Sequence, residues 1–156
     1  MDQTKKALSD AFRNAIEQFA YMFAEPYENT EPPPSPGPCL MAQMSYVGPT
    51  SGTLTMVIPE SLCPAIAANA LGLDPDEDDS ATGAHDAIKE LLNITCGQVL
   101  TALAGEEPVF DLSIPIISPF DIFEWTTHCA KPNTVILLVD DEPALVHLAT
   151  PGDSEQ

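Results

Sequence analysis

Between Thr4 and Ala24 the apolar residues Leu8, Ala11, Phe12, Ala15, Ile16, Phe19, Ala20 and Phe23 recur at steps of three and four. That spacing lays them along one face of a helix with 3.6 residues per turn. A longer stripe runs from Ser80 to Leu103 through Ala84, Ala87, Ile88, Leu91, Leu92, Thr95, Val99 and Leu100, with Gly105 just beyond it; this predicts a second long helix. Leu62 to Leu71, carrying Ala65, Ile66, Ala67, Ala68 and Ala70, reads as a shorter helix closed by Gly72, a glycine where a left-handed cap is wanted. Leu40 to Val47 and Thr53 to Ile58 are β-prone runs on either side of Gly48-Pro49-Thr50-Ser51-Gly52 and predict a hairpin, which Pro59-Glu60-Ser61 ends. Phe110 to Ile117 and Thr134 to Val139 predict two further strands, with a short one at Leu145 to Leu148. The stretch from Pro119 to Pro132, which holds Phe123 and Trp125, has no readable period.

The order long helix, two strands, short helix, long helix, two strands suggests an internal duplication. Setting Ile16 to Ala20 under Lys89 to Asn93 places Ala24 under Gly97. The fold class this implies is α/β in the wide sense, α+β: a pseudo-twofold domain with two long helices side by side on an antiparallel sheet. At 156 residues the chain reads as one domain spanning 1–156. It carries a Pro-rich surface loop at 25–38, an acidic loop at 74–79 and a disordered tail from about residue 150. The first loop holds six of the 16 prolines, so it cannot continue a helix and runs extended. The second, Asp74-Pro75-Asp76-Glu77-Asp78-Asp79, lacks the ligand order and closing glutamate of a calcium loop and reads as solvated.

Charge narrows the choice of partners. Five Lys and Arg against 24 Asp and Glu give a net charge of −19, and such a surface repels phosphate backbones and anionic headgroups. Nucleic acid and membrane are therefore excluded as partners, while a partner with a basic rim or a bound cation is attracted. No run approaches 18 uninterrupted apolar residues, and the first ten residues lack a leader pattern. The four cysteines, Cys39, Cys63, Cys96 and Cys129, are scattered among apolar or small neighbours without metal-ligand spacing. They read as reduced core thiols in a cytoplasmic protein rather than as a zinc site completed by His128 or His147.

One segment carries chemistry. On a helix Glu90, Asn93 and Gly97 stand at i, i+3 and i+7 and share a face, while Ile88, Leu91, Leu92, Thr95 and Val99 turn toward the core. Gly97 costs a helix interior about 1 kcal/mol relative to Ala, which makes sense where something approaches the helix closely. Taken plainly, Glu90 and Asn93 form an exposed polar face and Gly97 packs against a neighbouring helix. Taken functionally, the amide both donates to and accepts from water, and the carboxylate pairs with a partner's lysine. No Ser/His/Asp order, phosphate-binding glycine loop or HExxH stands anywhere in the chain.

The segment Glu90-Leu91-Leu92-Asn93-Ile94-Thr95-Cys96-Gly97, the hairpin strand Ser51 to Pro59 and the helix after it resemble the CheC/CheX family of chemotaxis phosphatases, in particular its single-site CheX-like branch. The resemblance implies a phosphatase acting on the aspartyl phosphate of a CheY-type receiver domain. By motif, Asn93 orients the attacking water, Glu90 pairs with the receiver's active-site lysine, and Gly97 leaves room for the partner's approach. It implies no cofactor of the chain's own, Mg²⁺ in the receiver's acid cluster, and a homodimer joined through the sheet. The chain departs from two-site members in its first helix: Glu17 sits where a second Glu is expected, but Ala20 and Ala24 stand at the Asn and Gly positions. The alternative is a module without catalysis, which binds receivers or dimerises within a signalling or flagellar-switch assembly.

Overall fold

In the computed structural model, which describes residues 2–72 and 80–151, seven antiparallel strands form one sheet and three helices cover one of its faces. The helices are α1 (Gln3–Ala20), α2 (Cys63–Leu71) and α3 (Ser80–Ala104), with a one-turn α4 (Trp125–Cys129) on the other face. The strands are β1 (Ala24–Pro26), β2 (Cys39–Val47), β3 (Ser51–Pro59), β4 (Asp111–Leu112), β5 (Ile116–Phe120), β6 (Thr134–Val139) and β7 (Glu142–Ala149). They lie in the order β1-β6-β7-β3-β2, with β4 and β5 both pairing on the outer edge of β2.

The expected duplication is visible in this order. The hairpins β2–β3 and β6–β7 meet at the centre, where Met56 faces Val146 across β3 and β7. Each half also lends a strand to the other: β1, which follows α1, pairs with β6, whereas β5, which follows α3, pairs with β2. The β6–β7 turn is made by Asp140 and Asp141 alone, both at positive φ (49° and 66°), the geometry that matches the twist of a two-residue hairpin.

Strand alternation separates two apolar layers. Met44, Leu54, Met56, Ile58, Leu137, Val146 and their neighbours point at the helices and meet Leu8, Phe12, Ile16, Leu91 and Leu92 in the main core. On the reverse face Cys39, Val57, Phe120, Trp125 and Leu145 form a smaller cluster. A polar row crosses that face beside it, with Gln43 Nε2 donating to Thr55 Oγ1 (3.0 Å) and Thr134 Oγ1 at 2.9 Å from His147 Nδ1.

Several expectations are corrected. The first helix stops at Ala20 rather than Ala24, because Tyr21 turns left-handed (φ 55°) and its N–H caps the last turn; Phe23, counted in the stripe, is exposed and Ala24 belongs to β1. The strand expected over Phe110 to Ile117 is two pieces, β4 and β5, parted at 113–115, where Pro115 has no N–H to offer. The unreadable stretch becomes a short 3₁₀ turn (Ile122–Glu124) followed by α4, and it is anchored by Trp125. That indole is buried, meets Phe120 edge-on, and donates from Nε1 to the Pro33 carbonyl at 2.9 Å, so it ties the Pro-rich loop to the reverse face. The last strand is longer than expected, Glu142–Ala149. The acidic loop at 74–79 lies outside the described residues, as does the tail from 152 on.

Among the described residues no group of three His, Cys, Asp or Glu side chains is placed to hold a metal, and no helix is long and apolar enough to cross a membrane. His128 packs edge-on against Phe120, and His147 pairs with Thr134. The four cysteines are free thiols. Burial pushes Cys39 and Cys63 up to about 12 and Cys96 and Cys129 up to about 11.

Candidate functional site

Helix α3 owes its orientation to one buried pair per turn. Leu91, Leu92, Cys96, Val99 and Leu100 are all in the core, and Thr95 is buried with them, returning its hydroxyl to the Leu91 carbonyl at 2.8 Å. With that face fixed, Glu90 and Gly97 are exposed and Asn93 is half-buried between them. The three expected residues therefore share one outward row, as their spacing requires.

The environment of the row differs at each position. Neither the Glu90 carboxylate nor the Asn93 amide makes a hydrogen bond or ion pair with the side chains of the described residues, whose one salt bridge is Lys6 to Asp10. Asn93, Ile94, Gly97, Gln98, Thr101 and Ala102 line a shallow, open depression of about 510 Å³. A Cβ built on Gly97 meets nothing within 4 Å. Close packing against a neighbouring helix is thus not the reason for this glycine. What it leaves is bare helix backbone facing open space, one turn beyond an unengaged amide and two turns beyond a carboxylate.

The first helix is different, and the structure changes how the two halves correspond. Both long helices end in a residue of positive φ, Tyr21 (55°) and Gly105 (84°). Matching those caps sets Ala7, Leu8, Ala11, Phe12, Ala15 and Ile16 against Leu91, Leu92, Thr95, Cys96, Val99 and Leu100, every one of them buried. In this register Lys6, Ser9 and Arg13 stand opposite Glu90, Asn93 and Gly97. The register with Glu17 opposite Glu90 fails because Ala20 is wholly buried at the helix end and Ala24 lies in a strand. The sequence hid this because the two registers differ by 11 residues, close to three whole helical turns. Either way α1 lacks the Glu-x-x-Asn row.

A family model described as chemotaxis phosphatase CheX matches residues 40–119, just over half of the chain. Among solved structures, a CheX chemotaxis protein from Desulfovibrio desulfuricans is 16% identical, with a TM-score of 0.69 over 96% of this chain and 99% of that one. A chemotaxis protein from Desulfovibrio vulgaris Hildenborough is 18% identical, with a TM-score of 0.70 over 95% and 96%. A third, from Borrelia burgdorferi, is a CheX–CheY complex with BeF₃ and Mg²⁺; it is 15% identical, with a TM-score of 0.61 over 92% and 95%. At these identities the neighbours establish a shared fold. No curated protein matches.

Proposed function

Because the chain belongs to the CheX family of chemotaxis phosphatases, we propose that it hydrolyses the aspartyl phosphate of a CheY-type receiver, using the outward row of α3. The observation that carries this reading is the Glu90, Asn93 and Gly97 row, unengaged by the described side chains and open at the glycine. In-line attack on phosphorus asks for a positioned water and charge stabilisation more than for a covalent group on the enzyme. In this reading the Asn93 amide enters the receiver's site and holds the water by donating to it or accepting from it. Glu90 pairs with the receiver's lysine and fixes the angle at which α3 arrives. Gly97 lets the receiver's backbone lie against the helix without meeting a side chain.

The metal belongs to the receiver in this scheme. The CheX–CheY complex that contains Mg²⁺ supports a Mg²⁺-bearing partner. The charge of −19 speeds encounter with a basic rim without selecting among receivers. Decay of a phosphorylated CheY-type receiver, followed with and without the purified chain, tests the reading: acceleration is expected, and an unchanged decay rate favours the receiver-binding or dimerising module.

We also propose the expected homodimer, and we assign it to one edge. Strands β3, β6 and β7 are interior and have both edges paired. The edges are β1, three residues long and ending in Pro26, and the β4–β5 side. The second couples a longer open strand edge to apolar side chains, with Val109 and Ile114 each 81% exposed and Ile116 68% exposed.

A further inference from the structure

The cap-matched register that sets Ala20 against Ala104 also sets Ile16 against Leu100 and Phe19 against Leu103. In the first half this place is closed. Ile16 and Ala20 are buried, and α2 lies against the end of α1, where the Asn69 side-chain amide donates to the Ala20 carbonyl at 3.0 Å. In the second half no helix follows β7 among the described residues, and Ala104 is exposed. The equivalent place is a pocket of about 560 Å³ between the C-terminal end of α3 and the sheet. Its walls include Tyr46, Leu100, Leu103 and Leu148, and its rim the hydroxyls of Thr4 and Ser51.

Two features of this pocket point to a ligand. Tyr46 is only 4% exposed, but its hydroxyl oxygen is accessible rather than buried and has no hydrogen-bond partner among the described residues, so the one polar end of a largely buried ring is free to donate to a ligand. Its ring is held edge-on to Phe110, with centroids 5.7 Å apart, and the hydroxyl has room only because Gly52 lies beneath it: a Cβ built there comes within 2.5 Å of Tyr46 Oη. Burial raises the phenol's pKa, so it remains a donor. The second feature is the lining itself, which among the described residues holds no charged side chain in a chain with 29 charged residues (5 Lys and Arg, 24 Asp and Glu). Among those residues an anion finds no cation there, and a cation no carboxylate.

We propose that this pocket binds a neutral, amphipathic small molecule, whose apolar body fills the seat that α2 fills in the first half and whose acceptor oxygen takes the Tyr46 hydrogen bond. The volume suits such a ligand, since small-molecule sites span about 300–1,000 Å³. The site is separate from the Glu90 and Asn93 row and does not depend on the phosphatase reading.

The full chain titrated with Prodan, 6-propionyl-2-dimethylaminonaphthalene, tests the proposal, because this neutral fluorophore has one acceptor carbonyl and its emission shifts to the blue on burial. Saturable binding of one Prodan per chain is expected. Ala104→Trp, at an exposed helix end, fills the pocket and should weaken binding by at least about tenfold while leaving the melting temperature unchanged. Tyr46→Phe should weaken Prodan by about fivefold, the size of one hydrogen bond, and leave naphthalene, which has no acceptor, unaffected. Absence of saturable binding, or an Ala104→Trp variant that binds as tightly as the parent chain, overturns the site. Equal loss of Prodan and naphthalene in Tyr46→Phe overturns the assigned hydrogen bond.

Discussion

Ser9 and Asn93 occupy equivalent positions on the two long helices, each 12 residues before a left-handed cap, at Tyr21 and Gly105 respectively. Ser9 is buried, while Asn93 borders the open depression on α3. One half of a duplicated fold thus presents an amide to the outside where the other has turned a hydroxyl inward. Glu17, which has no counterpart in the α3 row, is an exposed surface carboxylate. Its replacement, Glu17→Ala, should leave receiver dephosphorylation within about twofold of the parent rate. A tenfold loss in the same decay assay would show that α1 takes part.

Asn93→Ala should reduce accelerated dephosphorylation by about 100-fold or more, the scale of losing a positioned donor in a transition state. Stability should move by less than about 0.5 kcal/mol, because the amide has no partner in the described structure to lose. Glu90→Ala should act differently, raising KM for the phosphorylated receiver more than it lowers kcat, since its part is docking. Chelation of Mg²⁺ should stop the reaction in the parent chain. Wild-type rates in Asn93→Ala, or activity that survives chelation, would reject the mechanism.

Gly97→Leu separates docking from folding. A side chain at Gly97 enters open space, and Leu is a better helix former than Gly, so urea unfolding should show a gain of about 0.5–1 kcal/mol. The same side chain should block the approach of a receiver and cut its dephosphorylation by about tenfold. A variant both more stable and fully active would mean that nothing needs the bare backbone here.

How far the sequence speaks depends on whether a residue's role is set locally. The Glu90, Asn93 and Gly97 row was legible because helical period alone puts it on one face, and Gly72 and Gly105 read correctly as ends because left-handed caps favour glycine. Tyr21 takes the same conformation without being glycine, so the first helix seemed to run on. The internal register is not legible from periodicity, because an 11-residue slip preserves much of the helical face. Trp125 gave no periodic signal, since a five-residue helix is too short to have one; its place comes from Phe120 and the Pro33 carbonyl, distant in sequence.

The thiols offer a check on the core. Cys39, Cys63 and Cys96 are buried and all four groups are held protonated by burial, at about 11 to 12. A disulfide reagent needs the thiolate. At pH 8 the native chain should therefore react slowly with Ellman's reagent, with Cys129 fastest as the least buried, and denaturation in urea should release four equivalents at once. Four fast thiols in the native chain would contradict this packing.

Assembly sets two opposed effects against each other at the β5 edge. The outer side of β5 is unpaired among the described residues, and Val109, Leu112, Ile114 and Ile116 beside it are exposed. An edge with free backbone groups and apolar side chains invites a second copy, and a twofold axis there would let each chain present the same strand to the other. Against this stands a charge of −19 on each chain. Repulsion acts across the whole surface but is screened beyond about 8 Å at physiological salt, whereas strand pairing and apolar contact act where the chains touch. Pairing should therefore win at moderate salt and weaken as salt is withdrawn. Light scattering should report twice the 16.7 kDa chain mass near physiological ionic strength. The double variant Ile114→Lys, Ile116→Lys should bring it to a single chain without loss of the melting transition, because both side chains are exposed. A mass of one chain at every salt concentration rejects the dimer, and a dimer that survives both lysines rejects this edge.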